Sequence, residues 1–281
     1  MRFAFHTAIA VLTLIAASPT WAAESFDSCT GYVDSLPATL STPGVWCLRK
    51  DLATAVSSGN AITVTVNNVT LDCNDFKLGG MAAGPATQAV GIFAKVDHFT
   101  ARRCSVRGFY TGVRVEGNGA LVENNRFDAN TRTALYVWGE AQVVRGNLIH
   151  DTGGAPLAGG ATALFAYGTG QVSQNTIHGV SPAEDAQGDA FAVGIDSSNG
   201  VIIRGNQISG LVYKGAGDAT GVMTHYGIVA DNVLNQPAGT NGIGIKGTWG
   251  ASEELVCHDN IIRGYVQATS DCTAGSNVHQ P

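Results

Sequence analysis

The chain has 281 residues, a net charge of −6, 36 glycines and 14% charged residues. Many glycines with few charges suit tight bends around a continuous apolar interior, and a 44% hydrophobic content excludes an intrinsically disordered chain. No basic run is present, which removes the electrostatic footprint of a nucleic-acid binder.

Residues 1–23 read as a secretion signal. Arg2 supplies the positive start, residues 8–17 the apolar run, and Thr20, Trp21 and Ala22 the small-residue exit. The run is short for a membrane span, and nothing later is apolar enough to cross a bilayer. The mature protein is therefore expected to be secreted or periplasmic, with no membrane span. Residues 24–61 hold Pro37, Pro43 and two cysteines and are expected to cap the first coil of a repeat. Within them, 51–58 reads as a short helix.

From residue 62 to 266 one phrase recurs, apolar-x-x-Asn-x-apolar. Its copies are Leu71/Asn74/Phe76, Val122/Asn125/Phe127, Val144/Asn147/Ile149, Val172/Asn175/Ile177, Ile203/Asn206/Ile208, Val229/Asn232/Leu234 and Cys257/Asn260/Ile262. An eighth copy, Ala101/Cys104/Val106, has Cys in place of Asn. The copies lie 21 to 31 residues apart, the period of stacked units that cannot bury their apolar faces alone. Three short strands separated by bends describe one coil of a parallel β-helix, and coils stack at about 4.8 Å. An amide both donates and accepts, so asparagines repeated at one bend form a hydrogen-bonded ladder. The fold expected is all-β: a single-stranded parallel β-helix of about eight coils, with capped ends. Residues 267–281 are small and polar and are expected to cap the far end and fray.

Six cysteines in an exported chain indicate three disulfides. Of the fifteen connectivities the nearest-neighbour set is chosen. Cys29 with Cys47 staples the N-terminal segment, Cys73 with Cys104 joins adjacent coils beside the ladder, and Cys257 with Cys272 ties down the tail.

A second phrase, Gly or Ala followed by apolar-x-apolar, precedes each Asn phrase, at Gly91, Gly112, Ala134, Ala163, Ala192, Gly221 and Gly242. The segments leading into it are long at 150–162, 178–191 and 209–220, so insertions gather at one corner. Period 2 then assigns the outward positions. One row reads Lys95, Glu116, Trp138, Tyr167, Asp196, His225 and Lys246. The other reads Phe93, Arg114, Tyr136, Phe165, Gly194, Met223 and Gly244.

Two groups stand out. Tyr136, Trp138, Phe165 and Tyr167, with Arg114 and Glu116, form a flat substrate-binding platform. Asp196, His225 and Lys246 on successive coils form a candidate catalytic set: an Asp to orient a His base, and a Lys to neutralise developing charge. Ordinary cross-strand pairing on an exposed sheet competes with that reading. His150 and His178 share a place after the Asn strand and read as loop anchors. No metal-ligand spacing or cofactor motif occurs; Asp185, Asp189 and Asp218 in the long loops leave Ca2+ open.

Over 62–266 these repeats resemble the right-handed parallel β-helix proteins of the pectate lyase type. The segments LPATLSTPGVWCLRKDL and NNVTLDCNDFKLGG are also similar to uncharacterised secreted bacterial β-helix proteins. The first resemblance implies the fold, and a substrate cleft beside the corner where insertions gather. That fold carries lyases, glycosidases, epimerases and non-catalytic proteins alike. The expectation is a monomeric, secreted carbohydrate-active protein, a polysaccharide lyase or epimerase-like enzyme acting on a uronate-containing polysaccharide. The alternative is a non-catalytic glycan- or surface-binding β-helix.

Overall fold

A computed structural model describes residues 28–156, 158–186, 188–248 and 255–281. The expected signal segment lies outside the described residues. Among the described residues the regular secondary structure is all β-strand apart from one 3-10 turn at Met81–Ala83. Every strand-to-strand ladder is parallel, and each strand pairs with its counterpart one coil away. The result is a β-helix of about nine turns with three faces.

The first face stacks Asn60–Val64, Val90–Ala94, Thr111–Glu116, Thr133–Arg145, Gly160–Ser173, Phe191–Ser198, Ala219–Thr224 and Val233–Gly247. The second carries the apolar residue before each Asn, and the third the apolar residue after it. Inward residues of all three faces form one core from Val33 to Tyr265. Ile92, Val113, Leu135, Leu164, Ile195, Val222 and Ile245 are directly aligned in it and fully buried.

The bend between the second and third faces holds the ladder. The Nδ2 of Asn125, Asn147, Asn175, Asn206 and Asn232 each donates to the Oδ1 of the next rung at 2.9–3.0 Å, and Asn260 donates to Asn277 at 2.9 Å. The same Oδ1 accepts the backbone N–H of the rung before it. A second Nδ2 bond reaches a carbonyl one coil back, as from Asn147 to Val122 at 2.9 Å. The residue just before the rung is left-handed at Asn124, Gly146, Gln174, Gly205, Asp231 and Asp259. That conformation is least strained in Gly, Asn and Asp, which accounts for most of the residues found there.

Asn74 stands apart from this run because Cys104 occupies the intervening rung. Its Nδ2 still donates one coil back, to Leu48 O at 3.1 Å, while its Oδ1 accepts from Arg103. Beside it Asp72 is buried and accepts from Arg102 and Arg103. Burial works to raise the Asp72 carboxyl, but the Arg103 hydrogen bond, the Asn74 N–H and the two arginine charges hold it below its ordinary value.

All six cysteines are paired as expected: Cys29–Cys47, Cys73–Cys104 and Cys257–Cys272. Two details differ from expectation. Residues 51–58 form no helix; Leu52–Ala53 pairs with Lys77–Gly79 and buries Leu52, so stacking outweighs local propensity. The polar tail also continues the solenoid, with Val278–Gln280 pairing against Ile261–Ser270 and Asn277 adding a rung. His279, where the repeat has an apolar residue, hid that rung from the pattern.

Candidate functional site

The outward side of the first face is set by register. Arg114 aligns with Phe93 and Tyr136, and Tyr136 with Phe165, as expected. Phe165 then aligns with Asp196, Asp196 with Met223, and Met223 with Lys246. Tyr167 aligns with Ser198. The two rows therefore differ from the expected ones by a two-residue slip. One row holds Phe93, Arg114, Tyr136, Phe165, Asp196, Met223 and Lys246. The other holds Lys95, Glu116, Trp138, Tyr167 and Ser198, and the Ser197–Thr224 contact places His225 next. Asp196, His225 and Lys246 do not share a row.

The cause is the small residue that opens each strand. The one in register with Gly112, Ala134 and Ala163 is Gly194, not Ala192, and Gly244, not Gly242. A Cβ on Gly194 would sit 2.6 Å from Gly221 O, just as one on Gly112 would sit 2.6 Å from Ala134 O. The pairs Gly91-Ile92, Gly194-Ile195 and Gly244-Ile245 carried this register in the sequence. A slip of two keeps every side chain on its own side, so the apolar pattern does not detect it.

The aromatic platform is contiguous. Ring centroids of Tyr136 and Phe165 lie 5.8 Å apart, Tyr136 and Tyr167 6.0 Å, and Phe165 and Tyr167 5.6 Å. Trp138 is the most open of the group, 53% exposed. The Arg114 guanidinium lies 5.1 Å from the Tyr136 ring centroid and donates to Glu116 Oε1 at 2.7 Å. Lys95 Nζ approaches the other Glu116 oxygen at 3.7 Å. Beside Trp138, Lys95, Glu116 and Asn118 line a depression of about 220 Å3.

A larger depression, about 580 Å3, opens where the platform meets the next coils. Tyr167, Asp196 and His225 line it together with Ser198, Asn199, Met223, Tyr226 and Thr248. The Tyr167 hydroxyl hydrogen-bonds to the Asp196 carboxylate. Burial pushes the Asp196 carboxyl up to about 6, with the Tyr167 bond pulling the other way. Burial, then the nearby Asp196 charge, raises the Tyr167 phenol well above its ordinary value. His225 packs edge-on against Tyr226 at 5.1 Å, and Tyr226 Oη bonds to Asn199 Oδ1 at 3.3 Å. A carboxyl titrating near neutrality beside a phenol can accept or return a proton.

Lys246 lies apart from this centre. Met223 separates it from Asp196 along the row, and it pairs with Asp218 at 3.5 Å. The long loops sit at the opposite ends of the strands from the depression. They pack on one another through Ala183, Ala186 and Ala190, the Ala190–Lys214 bridge, and the Asp189 carboxylate accepting from the Ala216 N–H. His150 and His178 stack at 5.6 Å on the third face, remote from the platform. Among the described residues, no group of three or more His, Cys, Asp or Glu side chains is placed to hold a metal. Ser198, Asn199, Tyr226 and Thr248 were not foreseen. Correct register would have put Ser198 beside His225, and the bend residues follow from it.

No curated protein sequence matches the chain. Among solved structures, the tailspike of E. coli bacteriophage HK620 (mutant E372A, in complex with pentasaccharide) is similar at 9% identity and TM-score 0.36, with 89% of this chain covered. This chain spans 59% of that protein. The A-module of mannuronan C-5 epimerase AlgE6 from Azotobacter vinelandii is similar at 13% identity and TM-score 0.36, with 91% of this chain and 92% of that one covered. The family described as "Right handed beta helix region" matches residues 63–279, most of the solenoid, and this chain belongs to that family.

Proposed function

We propose that this chain is a polysaccharide-binding β-helix that holds a glycan along the solenoid axis, across the aromatic platform. The observation that carries this reading is the run Tyr136, Phe165 and Tyr167 on adjacent coils with Trp138 open beside it. Flat rings offer apolar faces to the C–H faces of sugars, and a rigid sheet holds them at little entropic cost. From Trp138 to His225 is three coils, about 14 Å at strand spacing, room for roughly three sugar units. Trp138→Ala should weaken binding by about tenfold, on the scale of an aromatic anchor. Calorimetric titration with soluble polysaccharides measures it; unchanged affinity would remove the platform from the binding site.

A second reading, turnover of the bound glycan, has its own support in the Tyr167–Asp196 pair and the neighbouring His225. On that reading His225→Ala lowers the rate by about a hundredfold, the usual scale for a general base. The hydrolytic form needs two carboxylates roughly 5–10 Å apart. Glu116 is three coils from Asp196, about 14 Å, which is too far. The lyase or epimerase form needs a cation beside the His225 base, but Lys246 aligns with Met223 rather than His225 and is already paired with Asp218. Binding is therefore the better supported of the two. The protein is taken to act as a secreted or periplasmic monomer.

A further inference from the structure

We infer that the glycan this face takes is uncharged rather than a polyuronate, an inference that rests on the glycan-binding reading above. Among the described residues, the two outward rows carry three fixed cations: Lys95, Arg114 and Lys246. Each has a carboxylate partner. Glu116 takes both Lys95 and Arg114, and Asp218 takes Lys246. Two more acids, Asp97 and Glu140, stand at the bend that follows the platform strands, where Asp97 accepts the Asn118 N–H and Glu140 accepts from Thr169. Asp196 is a further acid in the row itself. The face and its border thus hold Asp97, Glu116, Glu140, Asp196 and Asp218 against three cations. Two further cations stand at the starts of the strands, away from the His225 end: Arg132, 5.8 Å from the Phe191 ring centroid, and Lys214, which bonds to the Glu184 carbonyl.

A polyuronate brings one carboxylate per sugar along the same line. Laid on this face it would meet like charge, and among the described residues each guanidinium or ammonium of the two rows already faces a carboxylate. Like charges placed together oppose association, and a desolvated carboxylate without a partner costs more still. A neutral polymer meets none of this. Its C–H faces rest on the rings, and its hydroxyls can donate to acceptors among the residues lining the two depressions, which include Glu116 and Asp196. The uronate expected from the sequence relied on Lys246 standing free beside His225, which the observed register and the Asp218 pair remove.

The test is a glycan array carrying neutral, uronate and amino-sugar polymers, read with purified protein at pH 8 in 50 and 500 mM NaCl. The expected result is binding to neutral glycans that changes less than about twofold with salt, and polyuronate binding at least about tenfold weaker. Glu116→Gln supplies the second arm, since it releases Arg114 and Lys95. That variant should gain at least about fivefold in polyuronate binding at 50 mM NaCl and lose the gain at 500 mM. Wild-type binding to polyuronates that equals or exceeds neutral binding overturns this inference and leaves the glycan reading standing. The absence of gain in Glu116→Gln overturns it too, and a preference for amino sugars does the same. Binding to nothing on the array overturns the glycan reading, and this inference with it.

Discussion

At the scale of single residues, Asp196 links stability to the site. Its carboxyl is pushed up to about 6 from an ordinary 3.8, chiefly by burial. A carboxyl raised on folding is stabilising in its protonated form. That contribution is fully present below pH 3.8 and is lost as pH rises through about 6. At neutral pH the folded state therefore carries a buried charge it would bind a proton to avoid. A tenfold change in proton affinity is worth about 1.4 kcal/mol, and with partial solvent access the destabilisation comes to about 1–2 kcal/mol. Asp196→Asn should raise stability by that amount at pH 7.5, a few degrees in Tm, and by nothing at pH 3.5. Thermal melts of both proteins at the two pH values measure it, and an equal shift at both would reject burial as the cause. The residue was legible in the sequence as an outward acid near aromatics. Tyr167 and His225 were legible as its neighbours too, and both line the same depression; Ser198, Asn199 and Tyr226 were not, because the two-residue slip had left Ser198 out of the row.

Elements follow from two patterns that differ in how much they specify. Parity along a strand fixes which side faces the core, and every aligned residue from Ile92 to Ile245 was assigned inward correctly. Parity is blind to a shift of two, so register had to come from elsewhere. The Asn bend supplies it absolutely, since only one residue per coil can meet its own copies. That is why the ladder from Asn125 to Asn260 was legible while the stripe beyond Phe165 was not. The ladder also predicts a cost. Asn175→Ala removes the Oδ1 that accepts both the backbone N–H and the Nδ2 of Asn147, and the two donors from Asn175 to Val144 O and Asn206 Oδ1. All of these groups are buried, and each orphaned one costs about 1–3 kcal/mol. The variant should lose about 3 kcal/mol or more, roughly 6–12 °C in Tm for a chain of this size. A loss under about 1 kcal/mol by chemical denaturation would show that the ladder decorates the fold without holding it.

Across the whole molecule, coils touch only their neighbours, so stability is close to a sum of local terms along one axis. The terms are unequal. From Asn125 to Asn277 the ladder is unbroken, six amide-to-amide bonds in sequence. Below Asn125 it stops, because the rung at Cys104 has no amide and Asn74 bonds to Arg103 instead. The N-terminal coils depend on other devices: Cys29–Cys47, Cys73–Cys104 and the Asp72 cluster of two arginines. The two crosslinks close loops of 18 and 31 residues, for which chain entropy gives about 3–4 kcal/mol each. The third, Cys257–Cys272, reinforces coils that the ladder already holds. Reduction should therefore act unevenly. With all three bonds reduced, hydrogen exchange is expected to accelerate by at least about a hundredfold in residues 44–107, where the crosslinks replace the ladder. Residues 125–232 should change by less than about tenfold, since their rungs are untouched and coil-to-coil coupling decays along the stack. Exchange followed by mass spectrometry, with and without a phosphine reductant, separates the two segments. Equal acceleration along the chain would mean that the solenoid opens as one unit and that the interruption at Cys104 has no energetic consequence.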